Sequence, residues 1–274
     1  MIKKDDMAWC PGCGNFAIRD VLEKVLDDLP VPRKDIVFAS GIGQAAKMPH
    51  YLAVNYFNGL HGRSLPLAVG IKLARPELTV IAYSGDGCLY GEGGNHFIHT
   101  IRRRLDLTIL TSNNQIYGLT KGQSSPTTDT GVRNALDPEG NENIPLNPVA
   151  LAIALGAPFA ARGFAGEKEH LAGILRQAIL FKGTAFVDIL QPCVSFNKIN
   201  TYQWYRERVH KVETPATDRY EGLRLADQWG EKIPIGVLYR NDALPCRETK
   251  KIFREQLLGE AIKGHLSMEC VMMS

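Results

Sequence analysis

The stretch VIAYSGDGCLYGEGGNHFIHTIRRRLDLTILTSNN, Val80 to Asn114, decides the fold. Val80-Ile81-Ala82-Tyr83 is a short apolar run that suits a buried strand. Gly85 and Gly87 flank Asp86 and allow a tight turn in which the backbone can approach a ligand. A helical pattern runs from about His96 to Arg104, and Leu107 to Leu110 is the next strand. That strand delivers Asn113 and Asn114 to the sheet end that carries Asp86, the carboxyl edge where open α/β sheets bind ligands. A carboxylate, an amide oxygen and a nearby backbone carbonyl suit a hard cation such as magnesium, with diphosphate oxygens in the remaining positions. As a bare tripeptide Gly85-Asp86-Gly87 is an ordinary turn, and the paired asparagines after a second strand are what make it a candidate site.

Outward from this unit, α/β alternation continues in both directions. Asn15 to Leu29 has apolar residues at helical spacing, and Ile36 to Ala39 is a strand that empties into the loop Ser40-Gly41-Ile42-Gly43. Leu65 to Ala74 is a small-residue helix. Residues 118–147 are rich in Gly, Ser, Thr, Pro and Asn, and a loop of that length inside a domain is usually functional or mobile. Pro148 to Leu155 and Glu167 to Phe181 are helices, and Pro158 to Ala161 and Ala185 to Leu190 are strands. The pattern predicts an α/β fold with a doubly wound parallel sheet covered on both faces. Residues 1–199 carry it, Asn200 to Val209 looks helical, and the rest of 200–274 is expected to be an irregular extension.

Composition narrows the function class. The 274 residues are 45% hydrophobic and 22% charged, ordinary for a globular protein with a sizeable core. A formal net charge of +3 gives no reason to expect nucleic acid, and Arg102-Arg103-Arg104 ends a helix, where cations complement the dipole. No apolar run reaches the roughly 20 residues of a membrane span, and the charged start Met1 to Asp6 shows no secretory signal. A cytoplasmic location is expected, in which six cysteines do not form a disulfide framework.

Trp9-Cys10-Pro11-Gly12-Cys13-Gly14 is the second strong feature. Two thiolates at this spacing suit a zinc half-site, a redox dithiol or an iron–sulfur cluster. His61-Gly62-Arg63 precedes a helix start, a position that suits an anionic diphosphate. Lys47 and Lys121 are sensible partners for a carboxylate.

The Gly85 to Asn114 motif resembles the thiamine diphosphate motif, in which Asp86, Asn114 and the carbonyl of Ile116 would hold the metal. Six segments occur in order: Trp9 to Gly14, Ser40 to Lys47, His61 to Arg63, Gly85 to Asn114, Tyr117 to Thr128 and Gln191-Pro192-Cys193. Together, over residues 7–240, they are similar to the β subunit of 2-oxoacid:ferredoxin oxidoreductases. Asn200 to Val209 is similar to the branch that takes 2-oxoglutarate or several 2-oxoacids.

The resemblance implies a thiamine-diphosphate-binding fold and oxidative decarboxylation of a 2-oxoacid to acyl-CoA, with electrons passed through iron–sulfur to ferredoxin. It also implies an α subunit that supplies the pyrimidine-binding domain, and residues 200–274 are expected to pack on the α/β domain or on that subunit. Gly41, Ile42, Gly43, Gln44, His61, Gly85, Asp86, Gly87, Cys88, Asn113, Asn114 and Tyr117 fall at cofactor positions, Cys88 as a small packed residue. Lys47, Leu119, Thr120 and Lys121 fall in the substrate pocket. Cys10, Cys13 and Cys193 match three cluster ligands, but Gln44 stands where the fourth cysteine is usual. That leaves a 4Fe–4S cluster with an unusual ligand, a three-iron cluster or a lost one. Glu92 is read as structural. A non-oxidative decarboxylase subunit and a non-catalytic paralogue are the alternatives.

Overall fold

The computed structural model describes residues 6–134, 136–244, 246 and 247. In chain order the elements are α1 (Gly14–Asp28), β1 (Ile36–Ser40), β2 (Asn55–Asn58), α2 (Ser64–Ala74), β3 (Thr79–Gly85), α3 (Gly94–Arg103) and β4 (Leu107–Asn113). A two-stranded hairpin follows, β5 (Ile116–Tyr117) with β6 (Gln123–Ser124). The rest are α4 (Pro148–Ala154), β7 (Phe159–Phe164), α5 (Lys168–Leu180), β8 (Thr184–Leu190), α6 (Tyr202–Arg206), β9 (Val209–Lys211), α7 (Arg219–Ala226) and β10 (Ile233–Arg240).

Among the described residues, eight strands form one sheet in the order β2-β1-β3-β4-β8-β7-β10-β9. Every pairing is parallel except β10 with β7. Alternation along each strand feeds two cores. Ile81, Tyr83, Leu110, Val187 and Ile189 face the side covered by α1 and α5. Val80, Ala82, Ile109 and Phe186 face the side covered by α2, α3 and α4. Both faces are dry, so these strands carry continuous apolar runs rather than an alternating pattern.

Two expectations are corrected. Residues beyond about 218 are not irregular as far as 240. Asp218 caps α7 by accepting from the Glu221 N–H at 2.9 Å, and β10 is buried inside the sheet. Pro234 and Gly236 hide the strand, because both are ordinarily strand breakers. A register shift between Val237 and Tyr239 accommodates the irregularity. The sheet therefore crosses position 199. The helix expected over 200–209 is confined to Tyr202–Arg206, capped by Thr201, and Val209–Lys211 is a strand instead.

Candidate active site

The parallel register of β3 and β4 aligns Gly85 with Ser112, so Asp86 and Asn113 leave the sheet side by side. On the other flank Ser40 of β1 aligns with Tyr83, which brings the Gly41 loop to the same edge. A single π-helical turn, Gly87–Glu92, joins β3 to α3, a geometry frequent at functional sites.

Asp86 is buried, and its Oδ2 accepts from Ser125 Oγ at 2.6 Å and Thr127 Oγ1 at 2.9 Å. Burial pushes its carboxyl up to about 6, helped by the charge of Asp188 and opposed by the two hydroxyls. No Lys or Arg pairs with it among the described residues. Both hydroxyls engage Oδ2, so Oδ1 keeps acceptor capacity for a cation, which would offset the cost of burial.

Gln115 lies between two of the expected metal ligands in the left-handed region, φ +60°. Four hydrogen bonds hold it there. Its N–H donates to Asn113 Oδ1 (3.2 Å) and its Nε2 to Thr127 O (2.8 Å). Its Oε1 accepts from Tyr205 (3.0 Å), and its carbonyl accepts from Thr128 Oγ1 (2.5 Å). Asn114 Oδ1 accepts from the Ile116 N–H at 3.1 Å, an Asx turn. Ser125, Thr127, Gln115 and Tyr205 were not singled out from the sequence. The first two come from the Ser/Thr-rich loop, whose composition was the available signal.

Two of the glycines are packed against protein side chains. A Cβ at Gly87 would lie 2.4 Å from Tyr117 Cε1, and one at Gly41 would lie 2.5 Å from Cys88 Sγ. Cys88 is buried, and its sulfur accepts from the Gly62 N–H at 3.2 Å, tying the Gly41 and Gly62 loops together. His61 Nδ1 lies 2.9 Å from Glu92 Oε2, and the Tyr117 hydroxyl is 3.3 Å from the same oxygen. Glu92 thus ties two predicted cofactor residues. Gly43 has φ +121° and open space on its Cβ side, whereas neighbouring Ile42 is exposed.

Lys47 is half-buried and Lys121 exposed, and neither side chain has a hydrogen-bond or ion-pair partner among the described residues. Lys121 holds φ +88°. Leu119 is exposed, and Thr120 Oγ1 contacts Gln123 Oε1 at 2.6 Å.

The cysteine segments converge. The Gly14 N–H donates to Pro192 O at 3.2 Å, and Gln191 Nε2 lies 3.5 Å from Cys13 Sγ. Trp9 Nε1 donates to Gln44 O at 2.8 Å. Burial pushes the Cys13 thiol up to about 11, and Cys193 and Cys10 are near enough to add to it. Among the described residues, however, no group of three or more His, Cys, Asp or Glu is placed to hold a metal ion. Gln44 Oε1, Gln191 Oε1 and Asn15 Oδ1 are buried without a hydrogen-bond partner. Cys246 lies elsewhere, its thiol 3.4 Å from the Arg104 carbonyl, and Cys270 lies outside the described residues.

Residues 37–189 match the family model for the thiamine pyrophosphate enzyme C-terminal TPP-binding domain. Residues 193–255 match the family model for the C-terminal part of the pyruvate ferredoxin oxidoreductase β chain. A 2-oxoacid:ferredoxin oxidoreductase subunit β from Sulfolobus sp is 41% identical over 257 residues, covering 88% of this chain and 84% of that one. The chain belongs to the 2-oxoacid:ferredoxin oxidoreductase β subunits.

Within that family, a 2-oxoglutarate oxidoreductase subunit KorB from Mycobacterium tuberculosis is 43% identical over 192 residues, 70% of this chain and 52% of that one. A solved structure of 2-oxoglutarate:ferredoxin oxidoreductase from Magnetococcus marinus, with 2-oxoglutarate, coenzyme A and succinyl-CoA bound, superposes with a TM-score of 0.87. The two are 31% identical, and the match covers 97% of this chain and 94% of the other. The antiparallel strand β10 falls inside the C-terminal family match, so the corrected segment is part of the family's own fold.

Proposed function

We propose that this subunit holds thiamine diphosphate through magnesium and, with an α subunit, oxidatively decarboxylates a 2-oxoacid, with 2-oxoglutarate favoured. Coenzyme A takes the acyl group and ferredoxin the electrons. The observation that carries the reading is the buried Asp86 carboxylate beside Asn113 and Asn114, with no cationic side chain paired to it among the described residues. Asp86, Asn114 and the Ile116 carbonyl would hold the ion, a hard-oxygen donor set suited to magnesium. Bound thiamine diphosphate supplies the nucleophilic carbon and the electron sink for loss of carbon dioxide. His61 and Tyr117, joined through Glu92, would line the diphosphate end of the cofactor. Lys47 and Lys121 bind substrate carboxylate, and their lack of protein partners leaves both charges available.

Cys10, Cys13 and Cys193 are this chain's donors to an iron–sulfur cluster. Three thiols match a three-iron cluster. A 4Fe–4S cluster needs one more donor, and the buried, unpartnered Gln44 Oε1 is the candidate at the family position. Calorimetry on the anaerobically purified complex tests the cofactor reading: thiamine diphosphate should bind with magnesium, and Asp86→Ala should abolish binding while the fold survives. Unchanged affinity in that variant refutes the assignment. Paramagnetic resonance together with iron and sulfide analysis tests the cluster, and an iron-free complex with full ferredoxin-reducing activity rules it out.

A further inference from the structure

Asp188 stands in the middle of β8, with Thr111 of β4 and Arg162 of β7 as its register partners. All three are buried. A charge at such a place is expensive unless it is engaged, and Asp188 is engaged on both oxygens. Oδ1 accepts from the Tyr90 hydroxyl at 2.8 Å, and Oδ2 accepts from Asn113 Nδ2 at 3.1 Å.

Both Asp188 oxygens act as acceptors, and Oδ2 takes the NH2 end of the Asn113 amide, which turns the Asn113 oxygen the other way. That oxygen accepts from the Gln115 N–H at 3.2 Å and lies 2.8 Å from Thr127 Oγ1. The first bond anchors the left-handed turn between Asn114 and Ile116. The second contact is with the hydroxyl that also lies 2.9 Å from Asp86 Oδ2, and its single hydrogen serves one of the two oxygens at a time. A flipped Asn113 would set its NH2 against the Gln115 N–H, two donors facing each other, and would turn the Thr127 hydroxyl from donor to acceptor on that side.

From this geometry we propose that Asp188 is the positioning residue of the magnesium site: it fixes the orientation of Asn113, and through Asn113 it aligns both the Asp86 arm and the Asn114–Ile116 arm. The inference rests on the magnesium-dependent reading of Asp86. It assigns work to a side chain that touches none of the expected ligands.

The test is a calorimetric magnesium titration of the complete αβ complex with saturating thiamine diphosphate. Asp188→Ala should raise the apparent magnesium dissociation constant about tenfold or more. Binding should recover fully at high magnesium, which a general loss of structure would not allow. Asp188→Asn, whose carbonyl can still accept from Asn113, should return the constant to within about threefold of the unaltered complex. Wild-type magnesium dependence in a folded Asp188→Ala complex overturns the inference. If that variant does not fold, Tyr90→Phe loosens the same carboxylate and should raise the constant about twofold to fivefold, and no change there overturns it equally. Magnesium-independent binding of thiamine diphosphate to the unaltered complex would instead remove the reading of Asp86 on which this rests.

Discussion

A single methyl group at Gly87 would meet the Tyr117 ring, which also packs on Gly91, where a Cβ would lie 2.4 Å from its hydroxyl oxygen. Gly87→Ala should therefore destabilise the subunit by about 1–3 kcal/mol, the usual range for overpacking. In a double-mutant cycle with Tyr117→Ala, measured by denaturant unfolding, the two changes should be strongly non-additive. Strict additivity would show that the ring is not the obstacle. His170 gives a pH prediction of known sign. Burial holds its imidazole below the ordinary value of 6.5, with Lys211 adding to the effect, and Nδ1 is buried without a partner. The folded state then resists a proton that the unfolded chain accepts, so stability is intact above the unfolded value and falls as pH drops through and below it. The effect is small, since the ring is only half-buried. His170→Gln should flatten the acid limb of the stability curve between about pH 7 and 5, and an unchanged limb would locate the loss elsewhere.

At the level of elements, α6 is short but reaches far. It places Tyr205 so that its hydroxyl closes on Gln115, at the turn beside the expected ligands. Tyr205→Phe should cost about 1–3 kcal/mol, because it leaves a buried amide oxygen unsatisfied, and thermal unfolding checks this. Such long-range contacts also explain what could be read from the chain beforehand. Asp86, Asn113 and Asn114 were legible because each follows a local apolar run whose end fixes its place on the sheet edge. Ser125, Thr127 and Asp188 were not, since what matters about them is which distant side chain they meet. The strand β2 was missed because all four of its residues are exposed, leaving no buried-strand pattern. The strand β10 was missed because Pro234 and Gly236 interrupt an otherwise apolar run. The helices α1 and α5 were legible to within a few residues, since each lays one apolar stripe on a sheet that needs covering.

For the molecule as a whole, a thiamine pyrophosphate enzyme TPP-binding domain model matches residues 37–189, and no helix among the described residues is long and apolar enough to cross a membrane. The subunit purified alone should not turn over any 2-oxoacid, and adding the α subunit should restore ferredoxin reduction; robust turnover by the isolated chain would contradict this. The placement of β10 has a further consequence, for the order in which the protein is made. Every motif of the site has been translated by Cys193, yet the outer edge of β7 stays uncovered until Ile233–Arg240 emerges and pairs with it. An open edge of unpaired amides invites wrong partners, and synthesis proceeds at about 5–20 residues per second. A ribosome stalled between those points would display a nascent chain with its chemistry encoded and its sheet unfinished, a natural substrate for chaperones.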